Sequence, residues 1–152
     1  MTARDAPAGD APAVSPEPVG ATPDGRRAGE PVADSAGPYQ GRDVSGPTAM
    51  LASTAALDQQ HAPGTLVVNL RLGRSHFADP GQRARTRALL RGYFAQGGLQ
   101  LQVNVIDQRT LEAAVREPEK YGDLVIRVGG YSEFWSRLTP QLRQSVLLRT
   151  EH

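Results

Sequence analysis

The sequence predicts an α/β fold built on a strand–helix–strand unit. Two runs, residues 65–72 and 99–106, alternate apolar and polar side chains with the period of a half-buried strand. A helix-forming segment, residues 79–96, lies between them, and this order and spacing make a βαβ unit with a right-handed crossover. A short apolar run at residues 124–128 has the length and β-branched content of a further, buried strand.

The chain before this unit falls into two parts. Residues 1–19 are rich in alanine and proline and lack a hydrophobic period, which predicts a disordered leader before a domain of residues 20–152. Residues 47–57 are good helix formers and predict one short helix. In the first strand, residues 65–72, the alternation places Asn69 and Arg71 on one face. The opposite, apolar face carries Leu66, Val68, Leu70 and Leu72.

The crossover helix has clear start and stop signals. Asp79-Pro80 is a helix start, because the carboxylate can cap and proline is pre-set for the first turn, and Gly97-Gly98 ends the helix. Its predicted buried side consists of Leu89, Leu90, Tyr93 and Phe94. Its arginine stripe, which repeats every four residues, is interpreted as a solvated face, with docking of an acidic partner as the alternative. This stripe consists of Arg83, Arg87 and Arg91.

The second strand and the last two helices are predicted from the same signals, which are alternation of side chains and residues that begin or end a helix. In residues 99–106, one face carries Leu99, Leu101, Val103 and Val105, and the other carries Gln100, Gln102 and Asn104. Asp107 or Thr110 then caps a short helix that runs to about Arg116 before Pro118. Thr139-Pro140 begins a final helix that ends near Arg149. Its packing side is predicted to be Leu142, Val146 and Leu147.

Composition excludes several classes of function. The net charge of +1 argues against a general binder of nucleic acid or of anionic membranes, because no large field attracts a polyanion. No stretch approaches the roughly 20 apolar residues that span a bilayer, and the N-terminus lacks the apolar core of a secretory signal. A cytoplasmic location is therefore predicted.

The sequence also argues against familiar catalytic and metal sites. It contains no cysteine, which removes disulfides, thiolate metal sites and a cysteine nucleophile. The histidines, His61, His76 and His152, have no metal-ligand spacing, so no metal site is predicted. A hydrolytic triad from Ser75, His76 and Asp79 is formally possible, but no nucleophile elbow surrounds the serine.

The most informative stretch begins where the strand at residues 124–128 ends. A Gly-Gly pair alone predicts only a turn. Here, however, Arg127-Val128-Gly129-Gly130-Tyr131 resembles the radical-storing signature of glycyl radical enzymes, in which arginine, valine and a small residue precede a glycine and an aromatic residue. Further runs that resemble the family in the family's order lie at residues 24–31, 40–43, 64–67, 103–107 and 118–121. The resemblance covers roughly residues 20–152, and the ending, residues 148–152, looks more like the dehydratase, decarboxylase and lyase branches than pyruvate formate-lyase.

The resemblance implies a radical at Gly130. A carbon radical flanked by an amide nitrogen and a carbonyl delocalises only if its centre is planar, and a Cβ would crowd that planarity. Arg127, Val128, Gly129 and Tyr131 are expected to support the loop. The resemblance further implies that a radical S-adenosylmethionine activating enzyme, which carries an iron–sulfur cluster, installs the radical. Dioxygen adding at Gly130 would cut the chain and release residues 131–152.

The resemblance also implies a partner. In such enzymes a ten-stranded barrel encloses the glycine loop and a loop with a catalytic cysteine. This chain resembles only the last strands, the glycine loop and the C-terminal helix, and it has no cysteine. It is therefore expected to serve a lyase, dehydratase or decarboxylase reaction as part of, or in trans to, a larger subunit that carries the cysteine. The alternatives are a non-catalytic binding module on the βαβ unit and basic helix, or an inert truncated fragment.

Overall fold

The computed structural model describes residues 19–152 apart from residues 24, 31, 34, 63 and 65. The predicted leader lies outside the described residues except for Val19. The chain divides into two compact units, residues 1–32 and residues 33–152. Within the described part of the first unit, the Arg26 guanidinium donates to the carbonyl oxygens of Arg27 at 3.2 Å and Glu30 at 2.6 Å, and to that of Gly20. Main-chain hydrogen bonds, among them that from the Gly29 N–H to the Val19 carbonyl at 3.1 Å, close the same loop.

The second unit is a small α/β domain. Strands β1 and β2 pair in parallel, with Asn69 opposite Gln102 and Leu72 opposite Val105, and α2 forms the crossover between them. The predicted βαβ unit is therefore present. Strands β3 and β4 form a separate antiparallel hairpin. The elements are α1 (Gly46–Ala55), β1 (Asn69–Leu72), α2 (Pro80–Ala95), β2 (Gln102–Val105), α3 (Gln108–Arg116), β3 (Val125–Arg127), β4 (Ser132–Phe134) and α4 (Pro140–Leu147). Single 3₁₀ turns lie at Gln59–His61, Arg74–Phe77, Pro118–Tyr121 and Trp135–Arg137.

Two of the three predicted helix caps are formed. The Asp79 carboxylate accepts the Gln82 N–H at 2.9 Å, and the Thr139 hydroxyl accepts the Leu142 N–H at 3.3 Å. At α3, Asp107 is the residue before the helix, but its carboxylate accepts the N–H of Arg74 instead, at 2.9 Å. The N–H of Gln108 donates to Glu151, so the predicted caps of α3 were wrong and the C-terminal segment supplies this acceptor.

The apolar side chains form two clusters. The first packs α1 and α2 against β1, and it consists of Met50, Leu51, Ala55, Val68, Leu70, Leu72 and Tyr93. The second packs α3, the hairpin and α4, and it consists of Ile106, Leu111, Ala114, Ile126, Val128, Trp135, Leu138 and Val146. Trp135 is fully buried in it and donates its indole N–H to the Ala114 carbonyl at 3.2 Å.

Burial departs from the apolar pattern at three places, and of these the burial of Phe94 was predicted and was wrong. Arg71 is 5% exposed because the C-terminal segment lies along the other edge of β1, where Glu151 pairs with Arg71. Gln102 is 5% exposed, whereas Val105 is 46% exposed, because the hairpin covers the polar face of β2. Phe94 is 49% exposed and makes a T-shaped contact with Tyr93, with 5.2 Å between the ring centroids. The predicted alternation of side chains in the two strands was correct. However, some polar side chains of these strands are buried and the apolar side chain of Val105 is exposed.

The arginine stripe on α2 is exposed, as expected of a solvated face. None of the helices in the described part of the chain is long and apolar enough to cross a membrane. Val146 is buried on α4, and Leu142 and Leu147 pack against the same cluster, as predicted.

Candidate functional site

The candidate site is the tip of the β3–β4 hairpin. Arg127 lies opposite Ser132 in the ladder, and the Val128 N–H donates to the Tyr131 carbonyl at 3.0 Å, which leaves Gly129 and Gly130 at the tip. Gly130 has a φ of 83°, a left-handed conformation that glycine adopts without steric cost. A Cβ built on Gly130 meets no heavy atom within 4 Å. The backbone conformation therefore favours glycine here, and the α-carbon is open on that side.

A buried glutamine of β2 contacts the tip. The Gln102 side-chain oxygen accepts the Gly130 N–H at 3.1 Å and the Arg127 Nε–H at 3.1 Å. Arg127 also donates from Nη1 to the Ser132 hydroxyl at 3.3 Å. One side-chain oxygen thus joins the motif's arginine and its second glycine, so the orientation of the Gly130 amide is tied to the sheet.

An asparagine connects the hairpin to the sheet. The Asn104 Oδ1 accepts the Arg127 N–H at 2.9 Å, and its Nδ2 donates to the Arg127 carbonyl at 3.0 Å. This is the pair of bonds that a neighbouring strand would make with its backbone. A side chain of β2 therefore takes the place of a strand ladder between β2 and β3.

The segment after α4 holds the other side of the loop. Arg149 donates from Nη2 to the Val128 carbonyl at 2.7 Å and from Nη1 to the Arg127 carbonyl at 3.2 Å. The residues after it are fixed at Asp43, whose carboxylate accepts the Thr150 hydroxyl and lies 3.1 Å from the His152 Nε2. These contacts fix the backbone next to Arg149. They therefore help to position its guanidinium, and with it the loop carbonyls that the guanidinium binds.

A second guanidinium is buried near this segment. Arg71 donates to the Gln108 side-chain oxygen at 2.7 Å and to the Val146 carbonyl at 3.4 Å. Burial lowers the pKa of Arg71 below its ordinary value, while the negative charge of Glu151 opposes this shift and the positive charge of Arg149 adds to it. Two arginines therefore lie together under the hairpin, and both bind main-chain carbonyl oxygens.

The predicted site residues occupy different environments. Val128 is buried in the second cluster, whereas Gly129 and Gly130 are exposed and the Tyr131 side chain is 48% exposed. The sequence interpretation missed Gln102, Asn104 and Arg149, which hold the loop. The available signal was the polar pair Gln102 and Asn104 within an apolar run, which the sequence placed only on the face opposite the apolar side chains. Among the described residues, no group of three histidine, aspartate or glutamate side chains is placed to hold a metal ion.

Comparison with known proteins places this loop in a family. The family model described as "Glycine radical" matches residues 32–136. The Escherichia coli (strain K12) protein named "Probable dehydratase YbiW" is 37% identical over 133 residues, which are 87% of this chain and 16% of that protein. The PFL-like enzyme TdcE of the same strain is 40% identical over 142 residues, which are 87% of this chain and 18% of that protein.

A solved structure agrees with the sequence relatives. The glycerol-bound form of the B12-independent glycerol dehydratase from Clostridium butyricum superposes with a TM-score of 0.82 at 42% identity, over 88% of this chain and 17% of that one. This chain thus spans about one sixth of the length of the relatives that it matches. The family that the sequence motifs predicted is confirmed. This chain belongs to the glycine radical family of the glycyl radical enzymes.

Proposed function

We propose that this domain stores a carbon-centred radical on the α-carbon of Gly130. The observation that carries the proposal is the placement of Gly130, in a left-handed conformation at a hairpin tip with its α-carbon open and its N–H held by Gln102. Homolysis of one Cα–H bond would pass the hydrogen atom to a carbon radical that the activating enzyme forms by one-electron reduction of S-adenosylmethionine, with a new C–H bond formed there and one electron left on the Gly130 α-carbon. The adjacent amide nitrogen donates electron density and the carbonyl withdraws it. Arg127, Val128, Gly129 and Tyr131 support the loop.

The stored radical would serve a lyase, dehydratase or decarboxylase reaction. Dehydratases are among the relatives, which supports this class. The catalytic cysteine of such a reaction has to come from outside these 152 residues, because they contain none. The domain would supply the last strands, the glycine loop and the C-terminal helix of a barrel that a larger subunit completes.

The free edge of β2 supports such an association. The N–H groups of Gln102 and Ile106 donate to the carbonyls of Val68 and Leu72, so residues 103 and 105 turn their backbone groups to the opposite edge. A groove of about 470 Å³ runs along that edge, lined by β2 together with Val125, Arg127 and Ser132. Val105 and Val125 are exposed beside it. An extended segment of a larger subunit fits this combination of outward-facing backbone groups and apolar side chains.

The activating enzyme is the second expected partner. It would be a radical S-adenosylmethionine enzyme that holds the iron–sulfur cluster itself, since this chain offers no cysteine ligands. The exposure of Gly129 and Gly130 at the hairpin tip gives such an enzyme access to the α-carbon. Neither nucleic acid nor a membrane is expected as a partner, and a cytoplasmic location stays a prediction.

Electron paramagnetic resonance tests the radical directly. The protein is incubated without oxygen with the activating enzyme of a glycyl radical dehydratase, S-adenosylmethionine and a reductant. We expect a doublet from the remaining α-hydrogen in the parent and no signal in Gly130→Ala.

Gly129→Ala is the matched control, because its φ is not positive and a Cβ there also meets open space. It should keep the doublet, and circular dichroism should confirm that every variant is folded. A doublet in folded Gly130→Ala, or none in the folded parent, would contradict the proposal.

A binding module is the second candidate function, and the exposed arginine stripe of α2 favours it. Arg83, Arg87 and Arg91 present positive charge on one exposed face, and the first turn of α2 holds no acidic side chain. A partner captured by this face would be lost on Arg87→Glu and kept on Gly130→Ala. The radical function, in contrast, would be lost on Gly130→Ala.

A further inference from the structure

We infer that Gln102 is a positioning residue for the radical, because its side-chain carbonyl accepts the Gly130 N–H and anchors the peptide plane whose nitrogen donates electron density to the α-carbon. The inference rests on the proposed radical at Gly130. It adds a residue that lies 28 positions away in the chain and touches the radical residue through one hydrogen bond.

The position of the Gln102 side chain is well determined. Its own N–H donates to the Val68 carbonyl at 2.8 Å, in the ladder that joins β2 to β1. Its side-chain oxygen faces two donors, the Gly130 N–H and the Arg127 Nε–H, each at 3.1 Å. A flipped amide would place an NH₂ group against both donors, so this orientation follows from the hydrogen-bond partners.

The environment of Gln102 shows that the oxygen is the atom of its side-chain amide that makes hydrogen bonds. The side chain is buried, and among the described residues its Nε2 has no hydrogen-bond partner. A buried, unpaired amide N–H is unfavourable, and an apolar residue in the same strand would avoid it. The side-chain oxygen is the part of the group that is used, and it is used on Gly130 and Arg127.

A hydrogen bond at this N–H acts on the radical itself. An acceptor polarises the N–H bond and raises the electron density on nitrogen. At the resting φ of 83° the nitrogen lone pair is nearly perpendicular to the orbital of a planar radical, so the nitrogen donates after rotation about the N–Cα bond, and it then donates more strongly to the electron-poor α-carbon. The acceptor also fixes the peptide plane that precedes Gly130. When the α-carbon becomes planar, the backbone that moves is therefore the exposed part of the loop that leads to Tyr131. Removing the acceptor is expected to shorten the life of the radical and to change its spin distribution.

The test compares radicals in the full chain after the activation described above. Gln102→Leu removes the acceptor and keeps a side chain of similar size. We expect its radical to decay about two- to tenfold faster, the factor that one net hydrogen bond supplies. We also expect a changed α-hydrogen splitting of the doublet. Gln102→Glu keeps an acceptor for both donors and should restore the lifetime and the splitting.

Asn104→Ala separates positioning of the amide from general loosening. It removes the hydrogen bonds between β2 and β3 but none from the Gly130 N–H, so its doublet should keep the parent splitting. The inference is overturned if Asn104→Ala changes the splitting of the doublet as Gln102→Leu does. It is also overturned if the radical of Gln102→Leu has the same lifetime and the same splitting as that of the parent. No doublet in the folded parent would overturn the proposed function together with it.

A second measurement does not need a radical. Hydrogen exchange of the Gly130 N–H, followed by nuclear magnetic resonance in the resting protein, should be slow in the parent and in Gln102→Glu and faster in Gln102→Leu. If Gln102→Leu does not fold, Gln102→Glu still decides the question. Loss of Gly130 protection in that variant with an unchanged radical lifetime would overturn the inference.

Discussion

Replacing Asn104 by alanine tests whether one side chain carries the connection between the sheet and the hairpin. The variant removes two hydrogen bonds to the Arg127 backbone, at 2.9 and 3.0 Å. The Arg127 carbonyl keeps Arg149 as a donor at 3.2 Å, whereas its N–H loses the acceptor that Asn104 supplies. An unsatisfied, part-buried N–H costs about 1–3 kcal/mol, so we expect the free energy of unfolding to fall by about 2 kcal/mol.

Urea unfolding followed by circular dichroism measures this change. With a slope of about 2 kcal/mol per molar urea, the midpoint should fall by about 1 M. Arg87→Ala is the control, since Arg87 is exposed on α2 and its replacement should change the free energy of unfolding by less than about 0.5 kcal/mol. Hydrogen exchange at the Arg127 N–H should accelerate in Asn104→Ala alone. An unchanged midpoint together with unchanged exchange would refute the reasoning.

Two further substitutions test the packing around the site. Trp135→Ala removes a fully buried ring and leaves the Ala114 carbonyl without its indole donor, so it should lower the free energy of unfolding by about 3–5 kcal/mol in the same urea assay. Retention of the parent midpoint would contradict the burial of that ring. Gly98→Ala places a Cβ against the ring of buried Tyr93 and should lower the melting temperature more than Gly97→Ala, which meets open space and carries only left-handed backbone strain. Equal melting temperatures for the two variants would argue against the close approach of Gly98 to Tyr93.

The elements that the sequence predicted well are those set by local chemistry. The starts of α2 and α4 follow from Asp79-Pro80 and Thr139-Pro140, where cap and proline are adjacent in the chain. The βαβ unit follows from the period of two runs and the length between them. Strand β4 was not predicted, because three residues, Ser132–Phe134, carry no apolar period of their own.

The parts of the site that the sequence did not predict depend on distant contacts. The alternation in β2 gives two faces, but only the hairpin, more than 20 positions away, decides that Gln102 is covered and Val105 is not. Arg149 reaches the loop across a similar separation, and Glu151 lies 43 positions from the Gln108 N–H that it accepts. In contrast, the glycine motif is contiguous, which is why Gly130 was the residue that the sequence indicated.

The second apolar cluster changes what a break in the chain at Gly130 would do. The cluster draws Ile126 and Val128 from before the break and Trp135, Leu138 and Val146 from after it. Cleavage there by dioxygen would therefore not release residues 131–152, as the sequence alone implied, but would leave a nicked protein whose two peptides remain associated through a shared core. Such a protein would give two bands on a denaturing gel and a single peak in gel filtration. Cleavage at the hairpin tip would not be detected by an assay that measures only the size of the native protein.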